Sequence, residues 1–401
     1  MIFSRSIKRD KLILDFGSSN VRGLIVEKGK GLNIIKKMAV VPIEQYGVFD
    51  NYTLPNKKSP KASLGDTTKQ NFNLEIIKQA AVKVIKELNL ETKIRKIPTV
   101  IGLPANCLKA KLIKVSMQRE KPNCKVSTKE AHSIFQAVFV EARNRTLFIS
   151  ADDESKEEIK FLRARILSIQ ISGYKVPSIV GFNGKSFDFQ ILVVFCQKNI
   201  WNDFKLIMDD LGLAKIQVFH EVEGLIKCDG LIKKKNTILI DVGARFTNYF
   251  VFYRQQLEGV GEWLGGGNDF SAALQDRLKI SERDAQELKI VFNNGLFSSG
   301  MTERINKILT PVAEAWWSKL RLQVFKFGFF PASIITWGGS GSLSTILQTK
   351  RKLTPENVNV ALEEIKVSPL SLTKFPLKNL SGKSLSLGEV NTILLSFSEP
   401  V

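Results

Sequence analysis

Two stretches of this 401-residue chain share one pattern: residues 12–26 have the sequence LILDFGSSNVRGLIV, and residues 238–252 have the sequence ILIDVGARFTNYFVF. In each stretch an apolar run leads to an aspartate, Asp15 or Asp241, and a short loop then leads into a second apolar run. Two apolar runs joined by a turn predict a β-hairpin. Because the two copies lie 226 residues apart, they indicate an internal duplication and a chain built from two related halves.

The predicted hairpin turns carry residues suited to binding phosphate. Gly17 and Gly243 let a phosphate approach the backbone closely, because glycine has no side chain. The N–H groups of a tight turn point toward one place and form an anion-binding nest. Ser18 and Ser19 add hydroxyl donors, and Arg22 on the second strand lies within reach of a phosphate.

The aspartate of each hairpin predicts a magnesium site. An aspartate at the end of a buried strand is costly unless it is paired, hydrated or near a cation. If Asp15 and Asp241 face each other across a cleft, they would hold Mg²⁺ through its water ligands, since Mg²⁺ keeps several of them. One such turn alone is more often a plain strand end, but two aligned copies favour a functional pair.

Two further glycine-rich segments follow the second hairpin: GGGNDFS at 265–271 precedes a predicted helix, and WGGSGS at 337–342 follows an apolar run. A glycine loop that opens a helix is compatible with an anion or a nucleotide. Each segment is equally an ordinary turn when taken alone. Neither fits a Walker A loop or a Rossmann GxGxxG motif.

The order of these segments resembles the actin-like ATPase superfamily, in the FtsA/PilM branch. The resemblance spans roughly residues 11–347 and includes AQELK at 285–289, which is similar to the AExxK motif of the family. It implies an α/β fold of two actin-like lobes, ribonuclease H-like and duplicated, with ATP and Mg²⁺ in the cleft. The nucleotide-binding residues that it implies are Gly17, Ser18, Ser19, Asn20, Arg22, Gly243, Ala244, Thr247, Gly266, Gly267, Asn268, Lys289, Gly338, Gly339 and Ser340.

The resemblance also implies the catalytic groups. Asp15 and Asp241 would act with a Glu or Gln on the helix that links the halves, where the family positions the attacking water. Glu221 and Glu223 both lie on that predicted helix, and the sequence does not choose between them; both are equally well explained as surface acids.

Several positions depart from the family pattern. Arg22 replaces a lysine, Gln286 replaces a glutamate, Trp337 opens an atypical adenosine loop, and Arg245 places a bulky cation in the second hairpin. Arginine keeps the charge of lysine but has a different geometry. We therefore predict ATP binding with at most slow ATPase activity.

The predicted domain organisation has an insertion in the first half. Residues 104–187 differ in texture from their flanks and match in place an SHS2-type subdomain of the branch. Residues 1–103 and 188–235 form the first lobe, to which residues 384–401 return, and residues 236–383 form the second lobe.

The end of the chain favours the PilM side of the branch, because no Lys or Arg follows Lys383 and the basic amphipathic helix typical of FtsA is missing. The resemblance then implies a cytoplasmic ATP-binding protein of a type IV pilus or type II secretion-like machine. It would be recruited to the inner membrane by the cytoplasmic tail of a partner, with membrane association indirect and self-association into dimers or filaments open. The alternatives are an FtsA-like division protein and a catalytically inactive actin-fold scaffold.

Composition excludes several other classes. The 59 Lys and Arg against 39 Asp and Glu give a net charge of +20, but the positive charges are scattered and no nucleic-acid-binding motif occurs. The basic run Lys109–Lys125 could face an acidic partner or an anionic membrane surface. Two histidines exclude a multi-histidine metal site, and four cysteines without a CxxC spacing predict reduced thiols. No apolar run is long enough to predict a membrane span.

Overall fold

The computed structural model divides the chain into two compact units. It describes residues 10–29, 32–43, 74–92, 94–105, 107–151, 158–228, 236–328, 331, 333–338, 346 and 367–398. Of these, residues 107–206 form one unit and the others form the second, larger unit.

The larger unit contains two mixed sheets. The strands of the first sheet lie in the order β15-β3-β2-β1-β4-β9. They are β1 (Asp10–Phe16), β2 (Asn20–Lys28), β3 (Asn33–Pro42), β4 (Pro98–Gly102), β9 (Ala214–Val218) and β15 (Leu377–Asn379). Strands β1, β2 and β3 form an antiparallel meander, and β4 and then β9 continue the sheet parallel to β1.

The second sheet repeats this topology in the order β12-β11-β10-β13-β14. Its strands are β10 (Asn236–Val242), β11 (Phe246–Tyr253), β12 (Gln256–Leu264), β13 (Ser333–Trp337) and β14 (Val367–Pro369). Again three antiparallel strands are followed by two parallel ones. Asp15 lies opposite Arg22 and Gly102, and Asp241 lies opposite Asn248 and Trp337. The register thus confirms the duplication that the two hairpin sequences predicted.

Helices connect these strands and cover the sheets. They are α1 (Leu74–Glu87), α4 (Glu221–Leu225), α5 (Gly267–Leu278), α6 (Glu282–Asn293), α7 (Ser299–Phe325) and α8 (Val390–Phe397). Helix α3 (Lys198–Asp210) begins in the smaller unit and ends in the larger one. Apolar residues spaced three to four positions apart bury one face of α1. Helices α5, α6 and α7 contribute to the core beside the second sheet. The short α8 lies against α4 and against β1, β2 and β4 of the first sheet.

The smaller unit is a four-stranded antiparallel sheet with one long helix. The strands β5 (Lys109–Gln118), β6 (Ile159–Ile171), β7 (Tyr174–Val176) and β8 (Ser186–Gln197) lie in the order β5-β8-β6-β7, and the helix is α2 (Thr128–Ala151). Much of the basic run therefore lies on the edge strand β5.

The end of this unit differs from the predicted boundary at residue 187. Strand β8 pairs along its length with β5 and β6, so residues 188–206 belong to the smaller unit and not to the first sheet. All residues from Phe187 to Cys196 of β8 except Asp188 are buried, so both faces of the strand are covered. A strand that is apolar on both faces does not indicate from its sequence which sheet it joins.

No helix in the described ranges is both long enough and apolar enough to cross a membrane.

Candidate functional site

The turns of the two duplicated hairpins line one cavity of about 280 Å³. Most of the residues predicted from the sequence meet there. Those at the cavity wall are Asp15, Gly17, Ser18, Ser19, Asn20, Arg22, Glu221, Asp241, Gly243, Ala244, Gly267, Asn268, Lys289 and Gly338. Gln286 and Arg245, two of the departures from the family pattern, also line it.

The two turns have the same backbone geometry. The N–H of Gly17 donates to the carbonyl of Asn20 at 2.9 Å, and the N–H of Gly243 donates to the carbonyl of Phe246 at 3.0 Å. A Cβ atom at Gly17 would lie 2.9 Å from Nη1 of Arg22, and one at Gly243 would lie 2.8 Å from the Phe246 carbonyl oxygen. A side chain at position 243 would therefore force the backbone of its turn to shift, whereas at position 17 the nearest atom is the mobile end of the Arg22 side chain.

Asp15 ends β1 with only 6% of its surface exposed. Its Oδ2 lies 3.8 Å from Nη1 of Arg22 and accepts a hydrogen bond from the hydroxyl of Thr392 at 2.9 Å. Burial raises the pKa of this carboxyl, while the Arg22 charge and then the Thr392 hydrogen bond partly oppose that rise.

Asp241 is the counterpart of Asp15 in the second sheet and is buried to the same extent. Its Oδ2 accepts from the amide Nδ2 of Asn391 at 2.9 Å. Burial raises the pKa of Asp241 to about 7, and the negative charges of Glu221 and Asp15 add to the effect. Three buried carboxyl groups thus share one small volume, and each disfavours ionisation of the others.

The structure separates the two candidate glutamates. Glu221 lines the cavity, its Oε1 accepts from Nδ2 of Asn248 at 2.7 Å, and burial raises its pKa to about 7. Glu223 is turned toward its own helix, where its Oε2 accepts from the N–H of His220 at 3.0 Å and completes a capping box. Burial lowers the pKa of His220 to about 4, and its neutral Nδ1 accepts from the N–H of Val222. Of the two glutamates, Glu221 is the one that lines the cavity.

The loop before α5 is fastened to the second hairpin. The N–H groups of Gly267 and Asn268 donate to the carbonyls of Gly243 and Ala244 at 2.9 and 2.7 Å. Lys289 from α6 is almost fully buried, and its Nζ donates to the carbonyl of Gly267 at 2.8 Å. Burial lowers the pKa of Lys289 to about 8. Lys289 thus fixes the first residue of α5, Gly267, at the cavity wall.

Two predicted nucleotide-binding residues do not reach the cavity. The hydroxyl of Thr247 donates to the carbonyl of Gly265 at 2.7 Å and accepts from the indole of Trp316 at 3.0 Å, so its hydrogen-bonding capacity is used behind the hairpin. A Cβ at Gly266 would overlap the carbonyl oxygen of Gly243, so this glycine permits close backbone packing. Both residues therefore support the second hairpin and the loop beside it, and neither lines the cavity.

In the glycine-rich segment WGGSGS at 337–342, the structure describes only Trp337 and Gly338. Trp337 is fully buried and stacks on Phe250 with ring centroids 5.9 Å apart. Gly338 has a φ of +124°, and a Cβ there would overlap the carbonyl oxygen of Val242. Gly339 and Ser340, also predicted to bind nucleotide, lie outside the described residues.

Sequence analysis missed three polar side chains of the site. Asn248 holds Glu221, and Asn391 and Thr392 on α8 hold the two aspartates. Asn248 occupies the position in the second hairpin that Arg22 occupies in the first, so the duplication could have identified it. Asn391 and Thr392 lie in no recognisable motif.

The chemistry of the cleft suits Mg²⁺ with a phosphate. Buried carboxylates that repel one another gain from a cation, and the buried Nε of Arg22 makes no hydrogen bond. Within the described residues no group of three or more His, Cys, Asp or Glu side chains is placed to enclose a metal ion.

Two sheets that share a five-strand order, each contributing an aspartate turn to one cleft, define the two-lobed actin-like ATPase fold. Within it, the chain is similar over its length to PilM in the structure of the PilM–PilN type IV pilus biogenesis complex. The two are 16% identical with a TM-score of 0.61, and the match covers 98% of this chain and 100% of that one.

Other comparisons are weaker. The ethanolamine utilization protein EutJ from Carboxydothermus hydrogenoformans is 11% identical with a TM-score of 0.42, over 99% of this chain and 94% of that one. MreB 5 of Spiroplasma citri bound to AMPPNP is 10% identical with a TM-score of 0.39, over 82% and 84%. No protein-family model and no curated protein sequence matches the chain.

Proposed function

We propose that this protein binds ATP with Mg²⁺ between its two hairpin turns. The observation that carries the proposal is the pairing of Asp15 and Asp241, both buried, at equivalent positions of duplicated strands around one cavity. The turns of Gly17 to Asn20 and Gly243 to Ala244 would hold the phosphates. Bound Mg²⁺ would neutralise part of the triphosphate charge.

The proposed reaction is slow hydrolysis. Glu221 is the group that would position the attacking water, because it faces the cavity and is oriented by Asn248. Arg22 would neutralise phosphate charge, since it lines the cavity and its Nη1 lies 3.8 Å from Oδ2 of Asp15. Arginine binds phosphate with a planar fork where a lysine acts as a point charge, so the alignment for transfer differs from the family pattern.

We further propose a PilM-like role for the chain, as a cytoplasmic component recruited to the inner membrane by a partner's cytoplasmic tail. The likeness to PilM over the whole chain, in a structure that contains PilN, supports this assignment. In this proposal the smaller unit, residues 107–206, is the SHS2-type subdomain and carries the partner or self-association surface. The nucleotide would regulate the assembly by biasing the closure of the two lobes.

Calorimetric titration with MgATP tests the nucleotide site. Asp15→Ala and Asp241→Ala are each expected to weaken Mg²⁺-dependent binding at least tenfold, because each removes one carboxylate from the metal site. Asp276→Ala, which removes an exposed carboxylate on α5 far from the cavity wall, serves as the matched control. Unchanged affinity in both cleft variants would refute the assignment.

A further inference from the structure

Helix α8 holds the two aspartates of the cleft through two neighbouring polar side chains, one for each half. Thr392 Oγ1 donates to Oδ2 of Asp15, and Asn391 Nδ2 donates to Oδ2 of Asp241, each at 2.9 Å. Because Asn391 and Thr392 are consecutive residues of one helix, the spacing of the two carboxylates is tied to the geometry of a single helical step.

The orientation of the Asn391 amide is set by a third residue. The indole Nε1 of Trp337 donates to Oδ1 of Asn391 at 2.7 Å. An indole can only donate, so the amide oxygen must face Trp337 and the amide nitrogen must face Asp241. A side chain that accepts at one end and donates at the other is needed here, and a carboxamide is the group that does so.

The helix itself is closely seated against the first half. A Cβ atom at Gly224 of α4 would overlap the backbone carbonyl of Leu394, and one at Gly102 of β4 would overlap the side chain of Leu395. Thr392 is fully buried. On the opposite side, Asn33 of β3 donates through Nδ2 to the carbonyl and hydroxyl of Ser396, both at 3.1 Å. The helix is thus held against the first half at several points that do not include Asp15 or Asp241.

We infer that Asn391 and Thr392 are positioning residues that fix the Asp15 and Asp241 carboxylates for a hydrated Mg²⁺ ion. The inference rests on the proposed function. It adds to the two hairpin turns a pair of residues from α8 that belong to neither hairpin motif. Each hydrogen bond occupies Oδ2 of its aspartate and sets the rotation of the carboxyl group. The remaining oxygen is thereby oriented, and a water-mediated ion depends on that orientation because its waters must meet both carboxylates together.

The first test compares MgATP with ATP in EDTA by calorimetry. Thr392→Val and Asn391→Leu keep the side-chain size and are expected to lose about tenfold in MgATP affinity, the loss of one hydrogen bond to a charged group, with affinity in EDTA unchanged. Thr392→Ser restores the hydroxyl and is expected to restore the wild-type value.

Asn33→Leu is the matched control, because it removes an amide that anchors the same helix without touching either aspartate. It is expected to leave the preference for MgATP over ATP at the wild-type value. An equal loss in Asn33→Leu, or an unchanged preference in both Thr392→Val and Asn391→Leu, would overturn the positioning role.

A second measurement decides the inference even if the wild type binds no nucleotide, an outcome that would refute the proposed function. Thr392→Val is expected to lower the melting temperature of the apo protein in the wild-type background but not in an Asp15→Leu background, where the acceptor is gone. Equal shifts in the two backgrounds would show that Thr392 does not act through Asp15.

Discussion

Glu221 and Glu223 lie two residues apart at the start of the same short helix, yet their surroundings differ. Glu221 shares the cleft with Asp15 and Asp241; burial raises its pKa, and the charge of Asp15 adds to that rise. Glu223 accepts from the N–H of the N-cap residue His220 and is only 2% exposed. One glutamate is therefore placed for chemistry, and the other stabilises the helix start.

This difference predicts that substitutions of Glu221 and Glu223 change the stability of the protein in opposite directions. The pKa of Glu221 is raised from 4.5 to about 7, so between these pH values the native state holds a proton that the unfolded chain has released. Native stability contributed by this group therefore falls as pH rises from 4.5 to 7. We expect Glu221→Gln to melt at a higher temperature than the wild-type apo protein at pH 8 and at a similar one at pH 4.5.

Glu223→Ala is the companion variant. It removes one partner of a capping box, so we expect it to lower stability by about 1 kcal/mol at both pH values. Thermal melts of the two variants check both expectations. If Glu221→Gln were no more stable than the wild type at pH 8, the ionised Glu221 carboxylate would not destabilise the native state, and the raised pKa would be contradicted.

At the scale of secondary-structure elements, the contact between α4 and α8 predicts a strong effect from one methyl group. A Cβ at Gly224 would overlap the carbonyl of Leu394, a backbone atom that cannot rotate away. We expect Gly224→Ala to destabilise the protein by about 1–3 kcal/mol in chemical denaturation, as overpacking does. The same shift of α8 should weaken MgATP binding.

Gly300→Ala is the control for that prediction. Gly300 lies in the first turn of α7, and an added Cβ would meet nothing within 4 Å. Alanine there is expected to be neutral or to stabilise by up to about 1 kcal/mol, through helix propensity. A Gly224→Ala protein as stable as this control would mean that α8 does not lie against α4 as described.

The elements show which parts of the fold are predictable from sequence. The hairpin β1–β2 and its copy β10–β11 follow from local apolar runs that end in Asp-x-Gly, and these determine the fold class. The apolar sequence of strand β8 is compatible with either neighbouring sheet, so the sequence places residues 188–197 in the first lobe, whereas the structure pairs them with β5 and β6. The contacts of α8 with Asp15 and Asp241 join residues 377 and 150 positions apart, and no local pattern encodes them.

For the whole molecule, the duplicated architecture predicts tight binding and slow turnover of ATP. Binding needs only the two turns and the metal carboxylates, whereas transfer also needs an aligned water and a stabilised phosphoryl group. A rate of 1 s⁻¹ corresponds to a barrier of roughly 17 kcal/mol, so a misplaced group costing about 3 kcal/mol slows turnover more than a hundredfold.

We therefore expect a dissociation constant for MgATP in the micromolar range or below, and a turnover well below one per second. Phosphate release from the purified protein, measured without any partner, checks the rate, with Glu221→Gln as the background control. Turnover of tens per second would show that the departures at Arg22, Gln286 and Arg245 do not limit catalysis.

The most direct test of the account is a crystal structure of the full chain grown with ATP and Mn²⁺, which substitutes for Mg²⁺ and is located by its anomalous scattering. We expect the triphosphate between the Gly17 and Gly243 turns and the manganese peak between Asp15 and Asp241, about 4 Å from each carboxylate, the separation that one bridging water gives. A nucleotide bound elsewhere, or crystals that take up neither ATP nor Mn²⁺, would contradict the assignment of this cleft.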